Sequence, residues 1–454
     1  MTNIQHIEST MAKSPWVLPH GWKWYKWGDL VISYEQGLIR SNTELVENGT
    51  FYFKMHNIDE DGFCNYGKKE YTLATKHELM KYALNDGDFL INVRNSYELV
   101  GKTCVVSDIP NSAIYNHMIV KITHVDERLN YFLNALFSKT LWKKYIDGCK
   151  KGTTTVIALY KDDLLNIPIP IPPESIFSKI CSFEKTLLKK RTVNLRICAE
   201  LEFMAKTLYD YWFTQFDFPN ADGKPYRTSG GEMVWNDQLK REIPKGWYSS
   251  VIANHIGTSK GGDWGKEEPE GNYQKEVVCI RGADFPSINA SKPLNAPVRY
   301  ILSKNADKIL SSGDIIVEIS GGSPTQSTGR ICYINDYTLK RFNKEIITSN
   351  FCKAFSTKKA SEQYWLYLLW KTLYDAGVLF GFEGKTTGIK NLLFDDFCAQ
   401  YCIVAPDETI LQKFHEVVSP IFNKIQQCNI ENDELTRLRD WLLPMLMNGQ
   451  ATVE

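Results

Sequence analysis

The sequence contains itself twice. Leu18-Pro19-His20-Gly21-Trp22 returns as Ile243-Pro244-Lys245-Gly246-Trp247, and Leu84-Asn85-Asp86-Gly87-Asp88-Phe89-Leu90 returns as Leu310-Ser311-Ser312-Gly313-Asp314-Ile315-Ile316. Gly152-Thr153-Thr154 returns as Lys385-Thr386-Thr387, each Thr-Thr pair standing five residues before a leucine, Leu159 or Leu392. Ile171-Pro172-Pro173-Glu174 returns as Val404-Ala405-Pro406-Asp407. The offsets are 225, 226, 233 and 233, in order and close to half of the 454 residues. Four ordered matches at a slowly drifting offset mark a tandem duplication, so one fold must be built twice.

Each half opens with about 160 residues of short β-branched and aromatic runs broken by Gly, Asn and Asp. Strands are expected at Phe51–Met55, Phe89–Val93, His117–Ile122, Val277–Ile280, Ile315–Ile319 and Phe351–Phe355. Gly87 and Gly313 are expected to supply the positive φ of a tight turn feeding a buried strand. Helical periodicity covers Leu129–Ile146 and Ser361–Tyr374. The class is α+β.

Each half then ends in a long helix. Past Pro172 and Pro173, apolar residues fall at Ile180, Phe183, Leu187, Ile197, Leu201, Met204 and Leu208, with Lys190 and Asn194 in the intervening positions. The second series is Leu411, Phe414, Val418, Ile421, Ile425, Cys428, Asn432 and Leu435, shifting phase through Leu438, Leu442 and Met445. Steps alternating three and four describe a coiled-coil seam, and one asparagine in each seam can fix register at some cost in stability. The other reading is two amphipathic helices, each packed on its own domain. If the helices pair, connectivity makes them antiparallel, with a spacer of roughly 60 Å between two modules. The expected division is 1–170 and 243–406 for the modules, 171–215 and 407–449 for the helices, and 216–242 for a linker rich in Asp, Gly, Pro and Ser. Leu188 and Val417 are expected as exposed apolar flanks that make the isolated chain poorly soluble.

Charge and cysteine content narrow the function. Lys+Arg and Asp+Glu are 53 each, so DNA binding, if present, rests on local patches rather than bulk charge. The densest apolar run, Tyr364–Trp370, is far short of the ~18 residues needed to span a bilayer. No secretory pattern follows Met1, and eleven scattered cysteines fit reduced thiols, so a cytoplasmic location is expected. Cys398, Cys402, His415 and Cys428 lack a second tight pair and are read as structural rather than zinc-binding.

Two related readers joined by a rod suit a rod-like, repetitive target such as duplex DNA. The loops after the matched strands differ, Arg94-Asn95-Ser96 against Ser320-Gly321-Gly322-Ser323, which implies two different half-sites. The Pro-x-Gly-Trp openings, the Leu-x-x-Gly-Asp strands, the Thr-Thr segments, Trp212–Pro219 and Leu442–Leu446 together resemble the specificity subunit of type I restriction–modification systems, over the full length. The resemblance implies two target-recognition domains on double-stranded DNA, with docking of two adenine-methyltransferase subunits and of motor-nuclease subunits. It implies no catalysis in this chain and no cofactor of its own. S-adenosylmethionine, and ATP with Mg²⁺ for cleavage, would belong to the partners.

Arg94 and Arg281 are candidate base contacts because a guanidinium can grip guanine O6 and N7 together. The alternative for Arg281 is an ion pair with Asp284. Asn95, His56, Asn57, Thr325 and Gln326 complete the base-contact set. Lys151, Gly152, Thr153, Thr154, Lys260, Lys385, Thr386 and Thr387 are candidate phosphate contacts, with Lys143, Lys144 and Lys150 adding local charge. The alternatives are a helix cap with solvated lysines and, for Lys260, a surface turn with Trp264 in the core. Trp22 and Trp247 read as core. Leu187, Asn194, Leu201, Ile425, Asn432 and Leu435 are the helix-pairing positions.

Enzyme readings fare worse. Gly384-Lys385-Thr386 has Leu379 where a phosphate-binding loop needs glycine. No Asn-Pro-Pro-aromatic element is present. Asp375, Glu383 and Lys385 loosely follow a metal-dependent nuclease spacing and are the basis of the competing hypothesis.

Overall fold

A computed structural model describes residues 18–447, apart from 60, 110–111, 139, 153–155, 290–293, 322–325 and 385–388. Contacts divide the chain into two compact units, 1–193 with 435–454, and 194–434.

In the first unit, a central strand, Phe89–Asn92, is buried along its whole length. It pairs antiparallel with Ile119–His124 and Thr103–Val105, and Val31–Gln36 completes the sheet. Alternation sorts the side chains: Phe89, Ile91, Val105, Val120 and Ile122 enter one core, whereas Leu90, Cys104 and Ile119 enter another. Helix Arg128–Phe137 fills the first core with Phe132, Leu133 and Leu136. The helical pattern expected from Leu129 to Ile146 is two helices, the second being Thr140–Gly148.

The second unit repeats this plan. Ile315–Glu318 is the central buried strand, between Cys352–Thr357 and Ile331–Tyr333, with Ile256–Gly261 at the edge. Ile315, Val317 and Phe355 face one core, and Ile316, Cys332 and Ala354 the other. Both units also contain a parallel pair, Thr50–Phe53 with Ala113–Tyr115 and Tyr273–Ile280 with Ile346–Thr348. Each closes its ends with one two-stranded ladder, Lys23–Lys26 with Pro168–Ile171 and Tyr248–Val251 with Cys402–Ala405.

The Gly-Asp turn works identically in both. Gly87 and Gly313 stand at φ 95° and 93°. Asp88 accepts from the Asn85 amide at 2.9 Å, and Asp314 from the Ser311 amide at 2.7 Å. Trp22 and Trp247 are both buried, and Trp264 lies half-buried beneath the Arg299 guanidinium, 4.1 Å from its ring.

The long helices are Glu174–Tyr209 and Glu408–Met447. Asp407 caps the second, its carboxylate accepting from the amides of Thr409 and Ile410 at 2.9 and 3.1 Å. In the second unit their facing stretches run antiparallel: Asn194 meets Asn432 and Cys198 meets the Ile425 carbonyl. In the first unit Glu184 meets Arg439.

Leu187, Asn194, Ile425 and Asn432 are buried, whereas Leu201 and Leu435 are half-buried. Met204, expected in the seam, is 49% exposed, and Ala205 is buried in its place. The buried face moves by one residue there as the helix approaches the wide turn Asp210–Thr214, which buries Trp212 and Phe213. Nor does the second seam shift phase at Leu438, which is 41% exposed; Arg439 and Leu443 carry the stripe on. Leu188, expected as an exposed flank, is buried in the first unit's core, while Val417 is exposed.

Phe216–Glu242, expected as a linker, has its own structure in the second unit. Phe218 stacks on Trp247 with centroids 5.0 Å apart, and Asp217 accepts from the Thr228 amide and hydroxyl at 2.7 and 2.6 Å. A hairpin, Met233–Asn236 with Arg241–Pro244, follows. All eleven cysteines are free, and nine are buried.

Candidate nucleic-acid interface

In each unit a small three-stranded sheet brings distant candidates together. In the first, Arg94–Asn95 and Lys150–Gly152 flank Ile157–Leu159, so that Arg94 and Lys151 both stand opposite Ala158. Gly152 has φ 146°, and a Cβ there would lie 2.3 Å from the Val156 carbonyl oxygen. That close approach is a steric reason for the glycine. Thr153 and Thr154, between the two paired strands, lie outside the described residues.

Arg94 is exposed, and its guanidinium has no acidic partner among the described residues; its amide donates to Asn92 Oδ1 at 3.3 Å. Asn95 spends its side-chain oxygen on the Ser96 amide at 2.9 Å. Lys151 is tied to Asp163 at 2.7 Å, and Lys150 to Asp147 at 2.7 Å with its ammonium over the Tyr97 ring. Beside the sheet opens a cleft of about 280 Å³, lined by Tyr97, Lys102, Lys143 and Lys150. Lys143 and Lys144 are exposed.

Asn57 must leave the base-contact set. It is fully buried, its oxygen accepts from the Lys54 amide at 2.8 Å, and its nitrogen donates to the Asn65 and Lys68 carbonyls at 2.8 and 2.9 Å. A side chain so occupied cannot offer both groups to adenine. His56, on the same 3₁₀ turn, is exposed. The structural counterpart of Arg281 is Lys54, since each opens a 3₁₀ turn whose third residue, Asn57 or Asp284, caps its amide. Lys54 pairs with Glu70 at 2.6 Å.

In the second unit the small sheet is Ser320–Gly321, Lys390–Leu392 and Glu383–Gly384. Arg281 is held by Asp284 through Nε and Nη2, both at 2.9 Å, so the ion pair weighed as its alternative is present. Its side chain keeps 39% of its surface exposed. Lys260 also leaves the phosphate set: its ammonium is largely buried against Asp314 at 2.7 Å and the Ile309 carbonyl at 2.8 Å, securing the Gly-Asp turn. Gln326 is exposed beside Tyr374, whereas Thr325, Lys385, Thr386 and Thr387 lie outside the described residues.

Sequence reasoning missed one matched pair of cations. Gly101-Lys102 and Gly329-Arg330 occupy the same place: the Lys102 and Arg330 carbonyls accept from the Asn92 and Glu318 amides, each at 2.9 Å. Arg330 forms two parallel bonds with Glu318, at 2.8 and 2.6 Å, which raise its pKa above the usual arginine value. A Gly-basic dipeptide recurring at nearly the repeat offset was the available signal.

The nuclease residues are committed elsewhere. Glu383 accepts from the Thr328 amide at 2.8 Å and pairs with Lys390 at 2.9 Å, and Asp375 lies 4.0 Å from Lys206. Among the described residues no group of three or more His, Cys, Asp or Glu could hold a metal, and no helix is long and apolar enough to cross a membrane.

Comparison with known proteins agrees with the duplicated α+β plan. Residues 19–202 match the family described as type I restriction modification DNA specificity domain. The type I restriction enzyme MjaIX specificity subunit of Methanocaldococcus jannaschii is 26% identical over 354 residues, 75% of this chain and 72% of that one. The EcoEI specificity subunit of Escherichia coli is 19% identical over 174 residues, 37% of this chain and 29% of that one. The crystal structure of a type I restriction-modification S subunit from M. genitalium superposes with a TM-score of 0.52 at 15% identity, covering 94% of this chain and 96% of that one. Residues 19–202 thus match a type I restriction–modification DNA specificity domain, and the chain is similar to a specificity subunit of such a system along three quarters of its length.

Proposed function

We propose that this chain, as a specificity subunit, reads a bipartite, asymmetric duplex, one half-site through each unit, and docks two adenine-methyltransferase subunits, with motor-nuclease subunits added for cleavage. The observation that carries the reading is one fold built twice with different chemistry at matched positions. Arg94-Asn95 stands where the other unit has Ser320-Gly321, Lys102 where it has Arg330, and Lys54 where it has Arg281. A shared scaffold with different donors presents different hydrogen-bond patterns to base edges, hence two unlike half-sites. Local charge balance supports specific contacts over bulk attraction, since Lys151, Arg281, Arg330 and Lys390 each have a carboxylate partner.

The test is a base-resolution adenine-methylation map of the native host with and without this gene, and with Arg94→Ala. A split, asymmetric motif should vanish on deletion, and Arg94→Ala should relax one half only. Identical maps, or equal loss of both halves, would count against the reading. Mg²⁺-dependent cutting by the purified chain that disappears in Glu383→Ala would favour the nuclease instead.

A further inference from the structure

We infer that Arg330, aimed by Glu318, reads a guanine in the half-site of the second unit, and that the first unit makes no such contact at the matched position. The inference rests on the reading of this chain as a DNA-sequence-recognition subunit.

A guanidinium has two edges that can each make paired hydrogen bonds. Glu318 occupies one edge of Arg330, taking Nε and Nη2. The carboxylate is buried (5% exposed) and is cradled by glycines. A Cβ on Gly282 would lie 2.3 Å from its Oε1, and a Cβ on Gly321 2.9 Å from the same atom. Gly321 also has φ 141°, which disfavours any other residue.

The opposite edge of Arg330, Nη1 with the second hydrogen of Nη2, has no hydrogen-bond partner among the described residues, and 26% of the side chain is exposed. That edge matches guanine O6 and N7. Its orientation is set in advance, so little rotamer freedom is lost on binding.

The neighbouring Arg281 is different. Asp284 takes Nε and Nη2, and Nη2 also donates to the Asn295 carbonyl at 3.2 Å, which leaves only Nη1. A single nitrogen suits a phosphate oxygen better than the paired O6 and N7 of guanine. In the first unit, Lys102 replaces Arg330, and Asn92 replaces Glu318. Asn92 is spent on the Leu99 carbonyl at 3.1 Å and the Arg94 amide at 3.3 Å. A lysine there is a point charge without a fork.

The experiment maps adenine methylation in cells carrying the full chain with its own partner subunits, as wild type, Arg330→Lys, Glu318→Gln and a gene deletion. Arg330→Lys keeps the charge and should lose preference for guanine at one position of one half-site, by roughly ten- to hundredfold. Glu318→Gln should weaken the same position less. An unchanged motif, a relaxed base that is not guanine, or parallel loss across both halves overturns the assignment. Should Arg330→Lys abolish methylation, competition binding of the purified complex to duplexes altered at single base pairs decides, and uniform loss against all of them overturns it. A deletion that leaves the methylation map unchanged removes the specificity-subunit reading and this inference with it. A deletion that erases a motif which Arg330→Lys preserves removes Arg330 alone.

Discussion

Asn194 donates its side-chain amide to the Asn432 oxygen at 3.0 Å, joining the two long helices where each seam has its asparagine. Asn194 also donates to Glu431 at 2.8 Å, and both asparagines are almost fully buried. Asn194→Leu alone leaves polar groups of Asn432 and Glu431 without this partner, and should cost about 1–3 kcal/mol. Asn194→Leu with Asn432→Leu should recover most of that loss, because two apolar side chains at facing seam positions need no partner. Calorimetric melting of both variants checks it; equal destabilisation by single and double variants would mean the pair does not act as a unit.

Glu184 and Arg439 form the corresponding polar contact of the first unit, with bonds of 3.0 and 2.6 Å and almost no exposure. Arg439 further donates to the Asp61 carbonyl, and its guanidinium lies over Phe63, which Arg191 covers at 3.7 Å. Arg439→Met strands a buried carboxylate and should cost about 3–5 kcal/mol. Glu184→Leu with Arg439→Met should cost far less than the sum of the single changes. A double-mutant cycle by denaturant titration measures the coupling, and additive losses would contradict it.

These two pairs show where the sequence was legible. The asparagines were readable because they sit among apolar residues at regular steps. Arg439 was not, since a periodicity search expects an apolar residue at that slot and so inferred a phase shift at Leu438. Tertiary partners make burying the arginine tolerable, above all Glu184, 255 positions away. The same limit applied at the site. Arg94 could be singled out by type and place in the repeat, but the burial of Lys260 against Asp314 and the exhaustion of Asn57 by three backbone groups depend on folding. The duplicated strands were legible because their alternation is local.

Gly87 and Gly313 share a left-handed conformation but differ in surroundings. A Cβ on Gly87 would meet only the Tyr131 hydroxyl, at 3.7 Å, whereas one on Gly313 would lie 2.2 Å from Gln363 Nε2. Gly87→Ala should therefore cost about 1–2 kcal/mol of backbone strain alone. Gly313→Ala should cost more, by the displacement of Gln363 and of its bond from the Tyr333 hydroxyl. Gly313→Ala with Gln363→Ala should bring the two sites closer together. Melting temperatures of the three variants test the ordering.

His124 gives the first unit a pH dependence whose sign can be worked out. It is buried and accepts from the Trp27 indole at 3.0 Å through Nε2, so its proton sits on Nδ1, which donates to Asn130 at 2.6 Å. Burial lowers its pKa from 6.5 to about 4. A second proton would have to enter on Nε2, facing the Trp27 N–H, donor against donor. The unfolded chain takes up that proton at a higher pH than the folded one. The contribution is thus fully present above about pH 6.5 and is lost progressively as the pH falls through about 4. Its upper limit is roughly 3 kcal/mol. Trp27 fluorescence reports the transition locally, and the unfolding midpoint should fall across that window. In His124→Gln, which cannot take up this proton, the slope between pH 6.5 and 4 should shrink. An unchanged slope would place the acid sensitivity on the carboxylates instead.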